Sequence, residues 1–270
     1  MNEIDDNTID LIITSPPYFN AINYAKQQND EYYRGNDKIT FDGYLQSMKL
    51  SFQQCFLKNK NGSFCIINIG DILAKNEIIP LFPHFYFMMK EIGYIFHQNI
   101  IWSKVTGGAP RFGVTIQNPY PTYYYPNQMS EEILVFRKGN LVHKKDEASK
   151  FSIDEVMKKE IDNNIWHIAP VPPNQYSHPC PFPEDIPYRL IMLYSNVNDI
   201  ILDPFNGIGT TTKVAKCMNR QFVGYDIVEE YCKIAEQRLE DKLNLRRQMI
   251  MKAEFVDEEI TNGKNLGDWF

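Results

Sequence analysis

Two short stretches hold residue types whose spacing suits the handling of small polar groups: "TSPPY", Thr14 to Tyr18, and "LDPFNGIGTT", Leu202 to Thr211. In the first, two consecutive prolines remove two backbone donors and fix φ, so the carbonyls of Ser15 and Pro16 stay out of any helix. Ser15, Pro16 and Pro17 then form a rigid cluster of acceptors. Such a cluster suits an exocyclic amino group, whose two hydrogens need acceptors while its nitrogen lone pair faces an electrophile. The Ser15 hydroxyl and the Pro16 carbonyl would accept those hydrogens and tilt the nitrogen out of conjugation with its ring. Tyr18 offers an aromatic face to that ring. Rate enhancement would come from positioning and electrostatics, with no strong base and no covalent intermediate. A lone Pro-Pro-Tyr reads equally well as a polyproline turn or a ligand for a proline-binding module. The apolar run "DLIIT" leading straight into it makes a surface peptide the weaker reading.

In the second stretch an apolar run ends in Asp203, Pro204 and Phe205 follow, Gly207 and Gly209 make a turn, and Thr210, Thr211 and Thr212 open a helix. Glycines allow a ligand to approach the backbone, and a helix N-terminus presents free N–H groups. This is a nucleotide-type pocket at the C-terminal edge of a parallel sheet. It lacks the third glycine of the dinucleotide fingerprint, and a carboxylate at Asp203 would repel a pyrophosphate but hold an ammonium group. In "RQFVGYDI", Asp226 ends the next strand, where a carboxylate can accept both hydroxyls of a ribose. A ligand with an amine and a ribose but no phosphate fits S-adenosylmethionine. A capped glycine turn or a strand-end Asp is ordinary by itself; the two in register are not.

Elements of the right kind are present to position both stretches. Apolar runs bounded by turn signals alternate with segments of helical period, the pattern of an α/β domain with a mostly parallel sheet. The pattern predicts strands near 9–13, 63–69, 95–102, 131–137, 199–203 and 221–225, and helices near 40–57, 78–92, 184–196, 209–218 and 228–247. The last helix has Ile227, Tyr231, Ile234, Ala235 and Leu239 on one face and runs on through "EDKLNLRRQ". A strand "DLIIT" buried on both faces would deliver Ser15 to Tyr18 to the same sheet edge as Asp203. Two regions break the alternation: the Gly, Pro and Tyr-rich Ser103 to Gln128, and the mixed-charge Lys138 to Asn164. Loops longer than about 12–15 residues are uncommon without a function or disorder.

With "HPCPFPEDIPYRLI" (His178 to Ile191) just ahead of the second stretch, the chain resembles the DNA methyltransferases that modify amino groups of bases. The motif order resembles their permuted beta class, over about residues 8–240, and "SFCIINIGD", "NIIWSK" and "EEILVFRKG" match further strands of that core. The resemblance implies a Rossmann-like S-adenosylmethionine-dependent methyltransferase fold, α/β, mostly parallel, with helices on both faces and a circularly permuted motif order. It implies S-adenosyl-L-methionine as cofactor and Ser15, Pro16, Pro17 and Tyr18 as the catalytic loop. Around the cofactor it implies Asp203, Pro204, Phe205, Gly207, Gly209, Thr210, Thr211 and Asp226, with His178, Pro179 and Phe182 closing over the methionine end. The target base would be flipped out of double-stranded DNA, because its amino group is otherwise paired. Ser at the first loop position is more typical of cytosine-N4 enzymes, Asp or Asn of adenine-N6 enzymes. The expectation is therefore a cytosine-N4 methyltransferase of a restriction-modification system, with adenine N6 as the alternative.

The same resemblance divides the chain into one methyltransferase domain over 1–250, with a target-recognition insertion within 103–165, and a tail over 251–270. Lys104, Arg111, Arg137, Lys138, Lys144 and Lys145 are candidate phosphate or base contacts, and "YPTYYYPNQ" candidate stacking aromatics. A cognate restriction endonuclease encoded alongside and a homodimer are implied partners. Members usually place a strand and a Gly-Asp turn, which helps bind the cofactor adenine, before the segment matching "IDDNTIDLI"; here Met1 to Thr8 precede the first strand, so either the start has been trimmed or another element supplies those contacts.

Bulk properties narrow the field. The 270 residues are 43% apolar, enough for a large core, and the net charge of −6 argues against non-specific coating of nucleic acid while leaving room for a local basic groove. Five cysteines without close spacing and the lack of a charged-then-apolar leader point to a reducing cytoplasm. Five scattered histidines, with no HxxxH or CxxC, argue against a metal site, and no apolar run approaches the roughly 20 residues that span a bilayer. A cytosine-C5 enzyme would attack with a thiolate in a Pro-Cys loop; Pro179-Cys180 lies in an unrelated motif, and the TSPPY loop would then have no purpose. Glutamine or RNA methylation usually has Asn first in the loop, and a nicotinamide oxidoreductase is disfavoured by Asp203. From another class, the chain could be an inactive DNA-binding subunit on the same scaffold, which calorimetry with S-adenosylmethionine would distinguish.

Overall fold

The computed structural model describes residues 1–19, 40–74, 77–104, 121, 128–143, 145–172 and 182–245. Its centre is a seven-stranded sheet in the order β7-β5-β6-β2-β1-β8-β9. The strands are β1 (Ile9–Thr14), β2 (Asn59–Ile69), β5 (Ile95–Ser103), β6 (Ser130–Arg137), β7 (Ile165–His167), β8 (Ile200–Asp203) and β9 (Gln221–Gly224). A separate hairpin pairs β3 (Ile72–Ala74) with β4 (Glu77–Ile79). β1 pairs in parallel with β2 and β8, and β8 with β9, whereas β6 runs antiparallel between β2 and β5. The chain leaves β1 towards β2 on one side and leaves β8 towards β9 on the other. β1 and β8 therefore flank a topological switch point, the place where open α/β sheets bind ligands.

Side-chain alternation along each strand builds two apolar layers. Ile12 and Leu202 face a layer filled by Met48 and Phe52 of α1 (Phe41–Lys58) and Phe85 and Met89 of α2 (Leu81–Ile92). Leu11, Ile13 and Ile201 face the other, with Val156 of α3 (Ile153–Lys158), Ile186, Leu190 and Ile191 of α4 (Asp185–Tyr194), Val214 and Ala215 of α5 (Thr210–Cys217), and Trp166. All six residues of β1 are buried or half-buried, as a strand covered on both faces requires. α1 starts at Thr40, whose hydroxyl accepts the Gly43 N–H at 3.1 Å, and α2 stops at Gly93, left-handed at φ 118°.

The six predicted strands and five predicted helices are present with shifted ends, and β3, β4, α3, β7 and a short 3-10 helix at Glu147–Ser149 are added to them. The helix expected from residue 78 begins at Leu81, because Glu77–Ile79 pairs with Ile72–Ala74 instead. The mixed-charge segment after Lys138 contains α3, followed by β7 at the sheet edge. The helix expected over 228–247 is α6 (Glu229–Arg238) and ends far earlier. Its buried residues are Tyr231, Ala235 and Arg238, whereas Ile227 is 67% exposed. The polar continuation offers little apolar face, and the chain turns so that the Asn244 N–H reaches Glu184 at 2.8 Å. Among the described residues no helix is long and apolar enough to cross a membrane.

Candidate active site

Because β1 and β8 are adjacent and parallel, with Ile12 opposite Leu202, the residues that follow both strands emerge at one edge of the sheet. Thr14 ends β1 and Asp203 ends β8, and the Thr14 hydroxyl donates to Asp203 Oδ1 at 2.7 Å with both side chains almost fully buried. This bond ties the proline loop to the glycine turn. Residues 15 to 18 have no regular secondary structure, as two prolines dictate, and Pro16 is buried while Ser15, Pro17 and Tyr18 are half-buried. Phe19 anchors the far side of the loop against Phe41 and Tyr44, with ring centroids at 5.4 and 5.7 Å.

Asp203 Oδ1 also accepts the Phe205 N–H at 3.1 Å. Burial raises the Asp203 carboxyl to about 6, against the pull of these hydrogen bonds, and the nearby Asp226 adds to the rise. Among the described residues no Lys or Arg forms an ion pair with it. A buried, braced carboxylate without a cation is suited to receive one.

The turn itself is held from three sides. Gly207 and Gly209 are left-handed at φ 48° and 76°, and a Cβ on Gly209 would lie 2.7 Å from that of Ala235. Gly209 therefore admits α6, a different reason for glycine from ligand approach. Asp226 Oδ2 accepts the Gly207 N–H and Oδ1 the Val228 N–H, each at 2.8 Å. The carboxylate expected only to meet a ribose is thus also a brace of the turn. Burial shifts its carboxyl upward. Arg238 Nη1 donates to the Ile208 carbonyl at 2.6 Å and to the Thr210 hydroxyl at 3.3 Å. Its Nη2 lies 3.3 Å from Glu184 Oε1, which also receives Lys213 Nζ at 2.7 Å, all three side chains being buried. Nothing in the sequence marked Arg238 or Glu184, since their roles depend on helix packing.

Phe205 packs on Phe52 at 6.2 Å between centroids, Pro204, Thr210 and Thr211 are buried, and Phe182 packs into the apolar layer around α4 and α5. On the other flank of the proline loop, Tyr18 Oη donates to Glu131 Oε2 at 3.0 Å, and Lys104 Nζ lies 2.5 Å from Glu131 Oε1. Lys104 is therefore at the same edge as the proline loop, engaged with a carboxylate.

The other candidate DNA contacts are elsewhere. β6 runs antiparallel, so Arg137 pairs with Phe64 and Ile95 at the opposite edge of the sheet. Lys138 Nζ donates there to Asn7 Oδ1 and to the carbonyls of Phe56 and Asn59 at 2.7–2.9 Å. Lys145 lines a cleft with Asp10, Lys60 and Asp199 at that same edge. The structure does not bring these three together with Ser15 and Tyr18. Arg111, Lys144, His178, Pro179 and Cys180 lie outside the described residues.

A switch-point edge with a proline loop after one strand and a glycine turn after its parallel neighbour is the arrangement expected of amino-group DNA methyltransferases with permuted motif order. Residues 9–237 match the model of the N6/N4 DNA methylase family, and the chain belongs to that family. It is 29% identical to the type II methyltransferase M.MjaI of Methanocaldococcus jannaschii, covering 95% of this chain and 93% of the relative. It is 32% identical to M2.LlaDCHI of Lactococcus lactis, covering 88% and 85%. Among solved structures, the Thermus thermophilus protein TTHA0409 complexed with S-adenosyl-L-methionine superposes with a TM-score of 0.68 at 22% identity, covering 88% of each chain. The cytosine-N4-specific PvuII DNA methyltransferase superposes with 0.67 at 20% identity, covering 89% of this chain and 83% of that one. These two likenesses establish the fold.

Proposed function

We propose that this enzyme transfers a methyl group from S-adenosylmethionine to the N4 amino group of a flipped-out cytosine, at a specific site in double-stranded DNA. The observation that supports this reading is the 2.7 Å bond from Thr14 to Asp203, which ties the proline loop to the glycine turn. The choice of N4 rests on Ser15 at the head of the loop. The type II relatives support a place in a restriction-modification system.

The site fits the cofactor, since the buried Asp203 carboxylate has no Lys or Arg partner among the described residues and Asp226 places a second carboxylate just beyond the next strand. When bound, S-adenosylmethionine supplies a sulfonium-activated methyl group and a neutral thioether leaving group. Asp203 would hold the ammonium of its methionine part, and Asp226 the ribose. Ser15 Oγ and the Pro16 carbonyl would accept the two amino hydrogens of the base and aim the nitrogen lone pair, while Tyr18 stacks on the ring. Methylation of the nitrogen makes it acidic, and its extra proton leaves along one of these same two hydrogen bonds to water. Fixed dipoles suffice for this, because the nucleophile is neutral and the site prevents it from relaxing into conjugation.

The test is to incubate unmethylated DNA with the enzyme and S-adenosylmethionine, digest to nucleosides and identify the product by mass. N4-methylcytosine is expected. N6-methyladenine would reassign the base, and unmodified nucleosides would overturn the reading.

A further inference from the structure

Glu131 stands at the start of β6, the antiparallel strand, so its side chain reaches the catalytic edge from the side opposite the cofactor turn. Three donors converge on its carboxylate. Tyr18 Oη and Asn68 Nδ2 reach Oε2 at 3.0 and 2.6 Å, and Lys104 Nζ reaches Oε1 at 2.5 Å. The carboxylate side chain is only 11% exposed. Gly70 makes room for it, because a Cβ there would lie 2.9 Å from Glu131 Cγ. Lys104 in turn lies 5.2 Å from the ring centre of Trp102, which fixes the cation as well. A structural ion pair needs Lys104 and Glu131 alone. The tyrosine hydroxyl, delivered from a loop over a hundred residues earlier in the chain, is what such a pair leaves unexplained.

We infer that Glu131 is a positioning residue for catalysis: the Lys104–Glu131–Asn68 cluster holds Tyr18 by its hydroxyl and so fixes the ring plane on which the target base stacks. This rests on the proposed base-methylating function. A ring free to rotate about χ1 and χ2 would still pack the base, but over a range of angles, and an amino nitrogen misplaced by about 1 Å can cost on the order of a hundredfold in rate. Glu131 acts on the base only through Tyr18. Its loss should therefore be felt in turnover, should leave the cofactor turn untouched, and should vanish once Tyr18 has no hydroxyl.

The experiment compares wild type, Glu131→Ala, Glu131→Gln, Tyr18→Phe and the double variant Glu131→Ala/Tyr18→Phe. Substrate is whole-genome-amplified, unmethylated bacterial DNA with labelled S-adenosylmethionine, and cofactor affinity is measured separately by calorimetry. Glu131→Ala should lower kcat about 30-fold with cofactor affinity within about twofold of wild type. Glu131→Gln, which keeps an acceptor for Tyr18, should recover most of that loss. In the Tyr18→Phe background the same Ala replacement should cost less than about threefold. An equal loss in both backgrounds, or a matching loss of cofactor affinity, would overturn the inference. Should wild type itself methylate no DNA, the base-methylating reading fails, and crystal structures of wild type and Glu131→Ala then decide the positioning claim. A Tyr18 ring that swings away in the variant upholds it, and a ring that stays in place refutes it.

Discussion

Asp10 and Asp203 occupy opposite ends of the same pair of neighbouring strands, and each carboxylate ties those strands together. Near the start of β1, Asp10 Oδ2 accepts the Ile200 N–H at 3.0 Å and Oδ1 pairs with Lys60 Nζ at 2.6 Å. At the far end, Asp203 Oδ1 accepts the Thr14 hydroxyl and the Phe205 N–H, is almost fully buried, and has no cation among the described residues. The first carboxylate has its charge answered within the protein. The second is braced by neutral donors and held up at about 6 by burial. The difference teaches that the fold can answer a strand-end aspartate with its own lysine, whereas Asp203 has no Lys or Arg partner among the described residues, which suits it to the proposed cofactor ammonium.

The proline loop offers the strongest way to break the comparison. Replacing Ser15 or Tyr18 by Ala should lower kcat by at least about a hundredfold while cofactor affinity stays within a few-fold. Equal losses in both, measured by methyl incorporation and calorimetry, would mean that the loop serves cofactor binding instead. Asp203→Asn should weaken S-adenosylmethionine by about 30-fold or more, since it removes one partner of a buried charged pair. The same change should raise stability. Unfolded, the carboxyl loses its proton near its ordinary 3.8, whereas folded it keeps it to about 6, so folding loses stability as pH rises across that window. Asparagine escapes that loss, and thermal or urea unfolding at pH 7 should show a gain of up to about 3 kcal/mol. Asp226→Ala, removing acceptors of the Gly207 and Val228 N–H groups, should weaken the cofactor about tenfold by calorimetry. Asp10→Ala should instead cost about 1–2 kcal/mol of unfolding free energy and leave cofactor affinity unchanged. A loss of affinity there would erase the contrast between the two ends.

What the sequence reveals follows the same division. The proline loop, Asp203 and the glycine turn are legible because their chemistry is local: two prolines, a strand end and a left-handed turn announce themselves within ten residues. The strands are legible because β1, β2 and β6 each carry a short continuous apolar run, buried on both faces. Glu131 is not legible, since a carboxylate at the start of "EEILVF" reaches the catalytic edge only if that strand runs antiparallel beside β2. That same reversal carries Arg137 and Lys138 to the far edge, where basic residues of the expected recognition segment serve backbone carbonyls. The length of α6 is not legible either, because helical period continues in "EDKLNLRRQ" without an apolar face to hold it, and Glu184 captures the chain beyond the turn. Arg238 and Asp226 as braces of the turn depend on distances between helices and loops, which no residue pattern carries.

If Asp203 keeps its charge unpaired for the cofactor's ammonium, the pH dependence of S-adenosylmethionine affinity must report it most directly. With a carboxyl near 6, affinity in wild type should be about tenfold weaker at pH 5 than at pH 7, and the dependence should become shallower in Asp203→Asn. Affinity that is flat across this range, or that falls equally in the asparagine variant, would contradict the account.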